Sequence, residues 1–540
     1  MMMNMKIKKY IIIGLVLTGF IAAGFAQESS EESQIELPDL TTVVSGSNQQ
    51  EEIAPAPDFD DVLTLPVNSG DLVPVLPSAS DGDESEVVTA ANDAMQKDIY
   101  AQGTIGGGYP ASFTGDFEIS RLYGADPFKV SFTHNSASGF AGHKLSEGYN
   151  QSLTSIALEK DFIRSNFRWG IAAGYEDSAN GLQSLAEGIA AYNQDAVDLS
   201  ANFLWNLPKD FRLSLAADGE FYYRFANLTK GSDPDLFKNI SRVTADPVLQ
   251  VAWLHNGFEL AFNALYNMEA WDKVSNRGEF GLDFAWHNEK IRFFAGVGVV
   301  AGNNLNDNKV VVPFKAGFET NLPVYFSDRE LNLTLCGGLD SQRQTTAQLE
   351  REYKFSALEL FSSESSDWFG KVTLLVPLKT SFTGTVAAGF NRTAFDNGIW
   401  IPDYEGAIQS GLYGYTLKNR NEFYTDFAFT WKYKLFAATA KYHANWLENP
   451  VLQNKHTISV NLALQSQKGM WGTSLDTTYV LDSSDKPIIS LEGYVQATSA
   501  VRICLSLNDM LKLLGAEERP YAGQYVANSG NASLLVKFLF

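Results

Sequence analysis

The chain has 540 residues, with 63 acidic against 41 basic side chains and a formal net charge of −22. That balance excludes nucleic acid as a partner, because nothing here would neutralise phosphates. Hydrophobic residues make up 45% but charged ones only 19%, while aromatics reach 13% with 36 Phe, 22 Tyr and 43 Gly. Such a mix suits many extended strands edged by aromatic rings better than it suits helices.

The N-terminus carries Lys6, Lys8 and Lys9, an apolar run from Tyr10 to Phe25, and Gly24-Phe25-Ala26 before Gln27. Basic, apolar, then small residues two apart predict a secretory signal peptide over 1–26. The run is short for a spanning helix, and no Cys follows it to take a lipid anchor. Residues 27–98 are rich in Ser, Pro and acidic side chains such as Glu31, Glu51, Asp60 and Asp83. A segment of this composition cannot bury enough apolar surface to offset its ordering entropy, so it reads as a disordered acidic periplasmic leader. Three β-prone islands interrupt it, at 40–45, 62–66 and 72–76. Islands of that kind can add as an extra strand to the sheet edge of a partner.

From 99 to 540 strand-like runs follow one another with almost no helical period. In the run 211–225, Phe211, Leu213, Leu215, Ala217, Phe221, Tyr223 and Phe225 share one face, and Arg212, Asp218, Glu220 and Arg224 share the other. Apolar outward and charged inward is what a water-filled barrel in lipid requires. The run covers the ~9–11 residues of a tilted transmembrane strand, whereas strands of soluble sandwiches average about 5–6. The pair 421–433 and 435–447 repeats the pattern as a hairpin, with Phe423, Phe427, Phe429, Trp431 and Tyr433 opposite Glu422, Asp426 and Lys432. Lys441 and His443 take the inward positions of its second strand.

Short connections near 124–126, 208–210, 255–257, 288–290, 378–380, 434, 467–469 and 499 alternate with long ones near 136–150, 177–193, 227–245, 342–366, 392–420 and 509–530. The fold class predicted is all-β, a transmembrane antiparallel β-barrel of about 22 strands with both ends on the short-turn side, its outer wall against outer-membrane lipid. A lumen that wide must be filled or gated unless the protein is a large open pore. Arg212, Asp218, Glu220, Arg224, Asp426, Lys432 and Lys441 are the candidate lumen charges that would tune passage.

Two stretches carry a family resemblance. The last strand, NASLLVKFLF, sets Leu534, Val536, Phe538 and Phe540 on one face and stops on an aromatic residue. It resembles the C-terminal signal that the β-barrel assembly machinery reads in bacterial outer-membrane barrels. Asn508, Tyr525, Gly530 and Phe540 resemble the closing hairpin of TonB-dependent receptors, although the Pro and Arg of that pattern are replaced by Ser529 and Asn531. Within 39–46, Asp39, Thr41, Thr42, Val43 and Val44 resemble the TonB box of the same family. The resemblance implies a bacterial outer-membrane location and a TonB-like protein as partner. It also implies a folded plug domain, for which the interval between the box and residue 98 is too short, too acidic and too rich in Pro. The expectation is therefore a receptor-like barrel that lacks its own plug, with the leader or a separate plug chain left as alternative occupants of the lumen.

Other constellations carry no chemistry. Gly103–Pro110 looks like a phosphate loop, but Pro110 and a strand follow where a helix N-terminus would have to start. The six histidines are scattered with no ligand spacing, and the loop carboxylates Glu350, Glu352, Glu359, Glu364 and Asp367, or Asp396, Asp403 and Glu405, read as solvated loops. Cys336 and Cys504 read as small apolar wall residues rather than as a disulfide. No catalytic pairing stands out, so neither an enzyme nor a bound cofactor is expected. The function expected is an outer-membrane transport channel or receptor for solute uptake, TonB-coupled in one version. The alternatives are a passive porin-like pore and a surface adhesin or structural barrel binding through its long loops.

Overall fold

Side-chain alternation along a strand decides what each face of the sheet can touch. On Phe211–Leu228 the rings of Phe211 and Phe221 and the side chain of Leu215 stand exposed on one face, while Tyr222 and Arg224 on the other are fully buried. The computed structural model describes residues 99–539, apart from short segments at 122–123, 125, 234, 236, 272–273, 304–309, 324–329, 358–363, 380, 407–409, 448–455 and 482–485. The predicted signal peptide, the leader, the 39–46 segment and the terminal Phe540 lie outside the described residues.

Every wall strand pairs antiparallel with its sequence neighbours. The last, Asn531–Leu539, pairs with Tyr100–Tyr109 in a register running from Gln102 opposite Leu539 to Tyr109 opposite Ala532. That pairing closes the sheet and removes both edges. One wall strand comes in two pieces: Val310–Val311 pairs with Val300 and Ala301, Pro313 breaks the run, and Phe314–Pro323 resumes against the same neighbour. Counted as one, it gives a closed barrel of 22 strands, as the alternation predicts.

Apolar side chains cover the outside, with Leu199, Phe280, Val495 and Leu534 each more than half exposed. In water that surface would be costly; against lipid it is the solvated state. Aromatic rings gather where strands meet at the short turns: Phe162 stacks on Trp169 at 4.0 Å, Trp286 on Phe293 at 5.9 Å, and Trp431 meets Phe436 edge-on at 5.4 Å. This is the girdle expected at a membrane interface.

Links at one rim are two to six residues, such as 164–166, 208–210, 256–257 and 434–435. Those at the other reach 139–149, 182–188, 229–239, 344–363, 394–420 and 509–530. The long-loop rim also has two low points that composition did not suggest, a single residue at Pro110 and a short link at 271–273.

Candidate functional site: the covered mouth and the inner wall

The long loops do not stand apart from one another. Leu182 and Ile189, flanking one link, Tyr192 on the strand that follows it, Phe355 from 344–363, Tyr413 from 394–420 and Tyr525 from 509–530 form one buried apolar cluster, which Phe237 of 229–239 joins. These residues come from strands spread around the circumference, so the cluster can exist only across the mouth. Its centre is the ring of Phe355, stacked on Tyr525 at 3.7 Å and meeting Tyr192 and Tyr521 edge-on.

Backbone pairing locks the loops together. Phe355 accepts from the amide of Tyr413, and Ala357 donates to the Tyr413 carbonyl, both at 2.9 Å. The Gln183 side chain both donates to and accepts from the backbone of Val526 at 2.9 Å. Tyr525 donates its hydroxyl to the Gly411 carbonyl, and the Tyr413 hydroxyl accepts from the amide of Gln524 at 2.8 Å. Burial sets the titration of these loop groups: it raises Tyr404 to about 12, raises Tyr525, and lowers Lys354.

Residues 344–357 also meet the inner wall. Thr345 caps a short helix, Thr346–Glu352, by accepting from the Gln348 amide at 3.2 Å while the Gln348 side chain accepts from the Thr345 amide at 3.1 Å. The helix buries Thr346, Ala347, Leu349 and Glu350, and Ala347 packs with Ala196 of Ile189–Leu207 and Tyr222 of Phe211–Leu228. Arg224 donates to Glu350 Oε1 at 2.5 Å, and Tyr222 donates to Oε2 at 2.6 Å. Gln194 donates to the Tyr222 hydroxyl at 3.0 Å and to the Glu350 carbonyl at 3.2 Å. Both charges of the pair are almost fully buried, and hydrogen bonds surround the carboxylate, which is the condition for such a pair to be tolerated.

Next to Glu350, Arg351 turns the opposite charge to the wall and meets Glu220 at 2.6 Å and Glu176 at 3.5 Å. The strand register explains the need for that charge. Asp198 lies directly opposite Glu220, and Asp218 directly opposite Asp246, two like-charge pairs on adjacent strands. Such pairs cost free energy unless a cation screens them. Together with Glu159 they line a groove of about 400 Å³ on the inner wall. Arg343, at the end of the strand before the loop, meets Asp246 at 3.5 Å and Glu269 at 3.4 Å.

The sequence-predicted residues fall as follows. Arg212 meets Glu259 at 3.4 Å, Glu220 holds Arg351, and Arg224 holds Glu350. Asp218 faces Asp246, and Asp426 pairs with His443 at 2.6 Å. Lys441 sits opposite Ala428, and Lys432 lies opposite Ala437. The seven are spread around the inner wall; Glu220 and Arg224 alone meet on one loop. Leu534, Val536 and Phe538 share a face of the closing strand, with Leu534 exposed outward.

The expectation that Glu350, Glu364 and Asp367 belong to a solvated loop is corrected. Besides Glu350 on Arg224, Glu364 pairs with Arg277 at 2.9 Å and Asp367 with Arg420 at 3.2 Å, all three carboxylates buried. The sequence reading missed the helix and its anchors Gln194 and Tyr222. Thr345-x-x-Gln348 was the available signal, since it is a capping box inside an otherwise strand-rich chain. Among the described residues no group of three or more His, Cys, Asp or Glu could hold a metal ion, and Cys336 and Cys504 are free thiols.

No family model matches the chain, and no curated protein does. Solved structures match it well in shape. The FrpB iron transporter from Neisseria meningitidis aligns with a TM-score of 0.61 at 8% identity, over 82% of this chain and 81% of that one. The copper transporter OprC gives 0.63 at 10% identity, over 82% and 80%. The siderophore receptor PirA from Acinetobacter baumannii gives 0.62 at 7% identity, over 82% and 81%. The fold is that of a TonB-dependent receptor barrel. These neighbours are transporters and receptors, and the apolar outer band of this barrel suits a wall that faces lipid.

Proposed function

We infer that the protein is an outer-membrane transport receptor, which takes a solute at its long-loop face and admits it through the barrel. The observation that carries this reading is the covered mouth: a passive pore gains nothing from loops packed across its opening, whereas a receptor that admits a solute selectively needs them. The likeness to iron, copper and siderophore transporters supports it, and makes ferric and cupric complexes the first solutes to test. The charged inner wall would then screen what passes, through Arg212, Asp218, Glu220, Asp426, Lys432 and Lys441.

In the same reading, the segment Asp39–Gly46 of the leader engages a TonB-like protein, the leader or a separate chain takes the place of a plug, and the face carrying Leu534, Val536, Phe538 and Phe540 is read by the β-barrel assembly machinery. Uptake of labelled ferric or cupric complexes by cells with and without the gene tests the transport role; unchanged uptake of every complex would remove it. A peptide of residues 36–50 offered to a TonB-type C-terminal domain tests the coupling separately, and absence of binding would leave transport without it.

A further inference from the structure

His143 has a carboxylate on each side of its ring. Its Nε2 lies 3.0 Å from Glu518 Oε1, and its Nδ1 lies 3.4 Å from Glu147 Oε2. Glu518 belongs to 509–530 and Glu147 to 139–149, so the ring joins two of the long links. One face of the ring stacks on Tyr149 at 4.0 Å. Both carboxylates have neighbours that place them. The Lys144 amide donates to Glu147 Oε2 at 3.1 Å. Next to Glu518, Arg519 donates to Asp509 Oδ2 at 2.7 Å and to the Pro487 carbonyl at 2.8 Å. A guanidinium is not deprotonated in proteins, so that anchor stays in place when a histidine titrates.

A neutral imidazole carries one N–H, so it can serve one carboxylate while turning a lone pair toward the other; only the imidazolium donates on both sides. We infer that His143 is a proton-sensitive clasp between loops 139–149 and 509–530: both arms are made when the ring is protonated, and one is lost when it is neutral. The arm that survives is then an ordinary hydrogen bond to a carboxylate, without the charge on the ring that strengthens it. Histidine is the side chain whose ordinary titration falls between about pH 5 and 8. The groups that face His143 from its own loop and from 509–530 are Glu147, Tyr149, Lys144 and Glu518. An ordinary carboxylate is ionised throughout that range, and the Lys144 amide holds the Glu147 carboxyl lower still, helped by His143 and the Lys144 charge. The Tyr149 phenol is pushed up, by burial first and then by the two carboxylates. Acid therefore tightens the junction and mild alkali loosens it. Other ties between these loops do not titrate: Ser184 donates to the Glu147 carbonyl at 3.0 Å, the Gln183 amide to the Gly148 carbonyl at 3.2 Å, and the Gln183 side chain pairs with Val526. The clasp thus sets how firmly the loops are held, not whether they meet. Because 509–530 also supplies Tyr525 to the apolar cluster across the mouth, acidity on the long-loop side bears on the cover itself. The inference goes beyond the proposed transport role and does not need it.

The test is hydrogen exchange of the full mature chain in lipid vesicles at about pH 5.5 and about pH 8, each rate divided by the intrinsic chemical rate at that pH. The readout is the amides of 143–148 and 513–516, several of which donate within their own loops. Exposed ion pairs are individually weak, so protection should be about two- to fivefold greater at the lower pH. His143→Gln should abolish the difference in both loops, and Glu518→Gln should abolish it at 513–516. The two substitutions together should do no more there than either alone. Amides of the wall strand Phe211–Leu228 should be unaltered throughout, which shows that each variant is folded. Equal protection of the unmodified chain at the two pH values would overturn the clasp. So would a pH difference at 513–516 that survives in either single variant, or effects of the two substitutions that simply add. No transported solute enters these measurements, so uptake assays can fail without touching their outcome.

Discussion

Arg224 and Glu350 stand 126 residues apart in sequence and 2.5 Å apart in space, each with at most 2% of its side chain exposed. One belongs to the wall, the other to a loop that crosses to it. Removing either leaves a lone buried charge. Arg224→Ala should weaken attachment of the loop by about 3–5 kcal/mol, read as faster hydrogen exchange at 346–357 with no change in the wall strands. The paired change Arg224→Met with Glu350→Met should cost much less, since it leaves no orphaned charge.

The Phe355 ring bridges three loops. Phe355→Ala removes its stack on Tyr525 and opens a void in the cluster, which should cost about 3–5 kcal/mol. Limited proteolysis of the long loops measures it: cleavage should rise within both 394–420 and 509–530 although the substitution lies in neither. Cleavage confined to 344–363 would show that the loops are not coupled.

Tyr404 and Lys354 give the cover opposite responses to alkali. Burial lifts the Tyr404 phenol from its usual 10 to about 12, so the stabilisation it brings is whole below pH 10 and fades as pH rises toward 12. Burial holds the Lys354 ammonium below its usual value, so its charged form weighs on the folded loop at neutral pH and that cost is relieved as pH rises. Tyr404→Phe should therefore flatten the alkaline loosening, and Lys354→Met should tighten the cover at pH 7. Proteolysis or exchange between pH 7 and 11 distinguishes the two.

The outer wall should reject charge where the inner wall accepts it. Phe280→Arg, midway along Val274–His287 and more than half exposed, should destabilise the barrel in vesicles by about 2–4 kcal/mol. Thr439→Arg, on the inward face between Thr430 and Asn461, should be close to neutral in the same unfolding measurement.

At the seam, Gly106 lies so close to the neighbouring strand that an added Cβ would strike the Leu534 carbonyl and the Leu535 side chain. Gly106→Val should lower the yield of closed barrel, measured as the fraction that resists protease in membranes, while the same change at Gly278, where a Cβ meets open space, should not.

The barrel itself was legible because its two solvents write themselves into every other residue. Phe211–Leu228 and Asn421–Tyr433 came out at nearly the expected limits, and alternating link lengths fixed the two rims. The cover was not legible. Tyr192, Phe355, Tyr413 and Tyr525 share no period, since what unites them is the meeting of loops from distant strands. Glu350 and Glu364 read as loop acids because sequence spacing cannot show an arginine on a wall strand distant in the chain. Of the candidate charges, Glu220 and Arg224 earned a joint role only through partners that no local pattern contains.

The pairing of Gln102 with Leu539 has a bearing on biogenesis. Until the final strand has been made, the nascent sheet carries two bare hydrogen-bonding margins and a lipid-loving exterior, a combination prone to sticking to any neighbour. Contacts between the far ends of a polypeptide also form late, since so much chain entropy must be given up first. Closure of the first strand on the last is therefore the step that removes both margins at once.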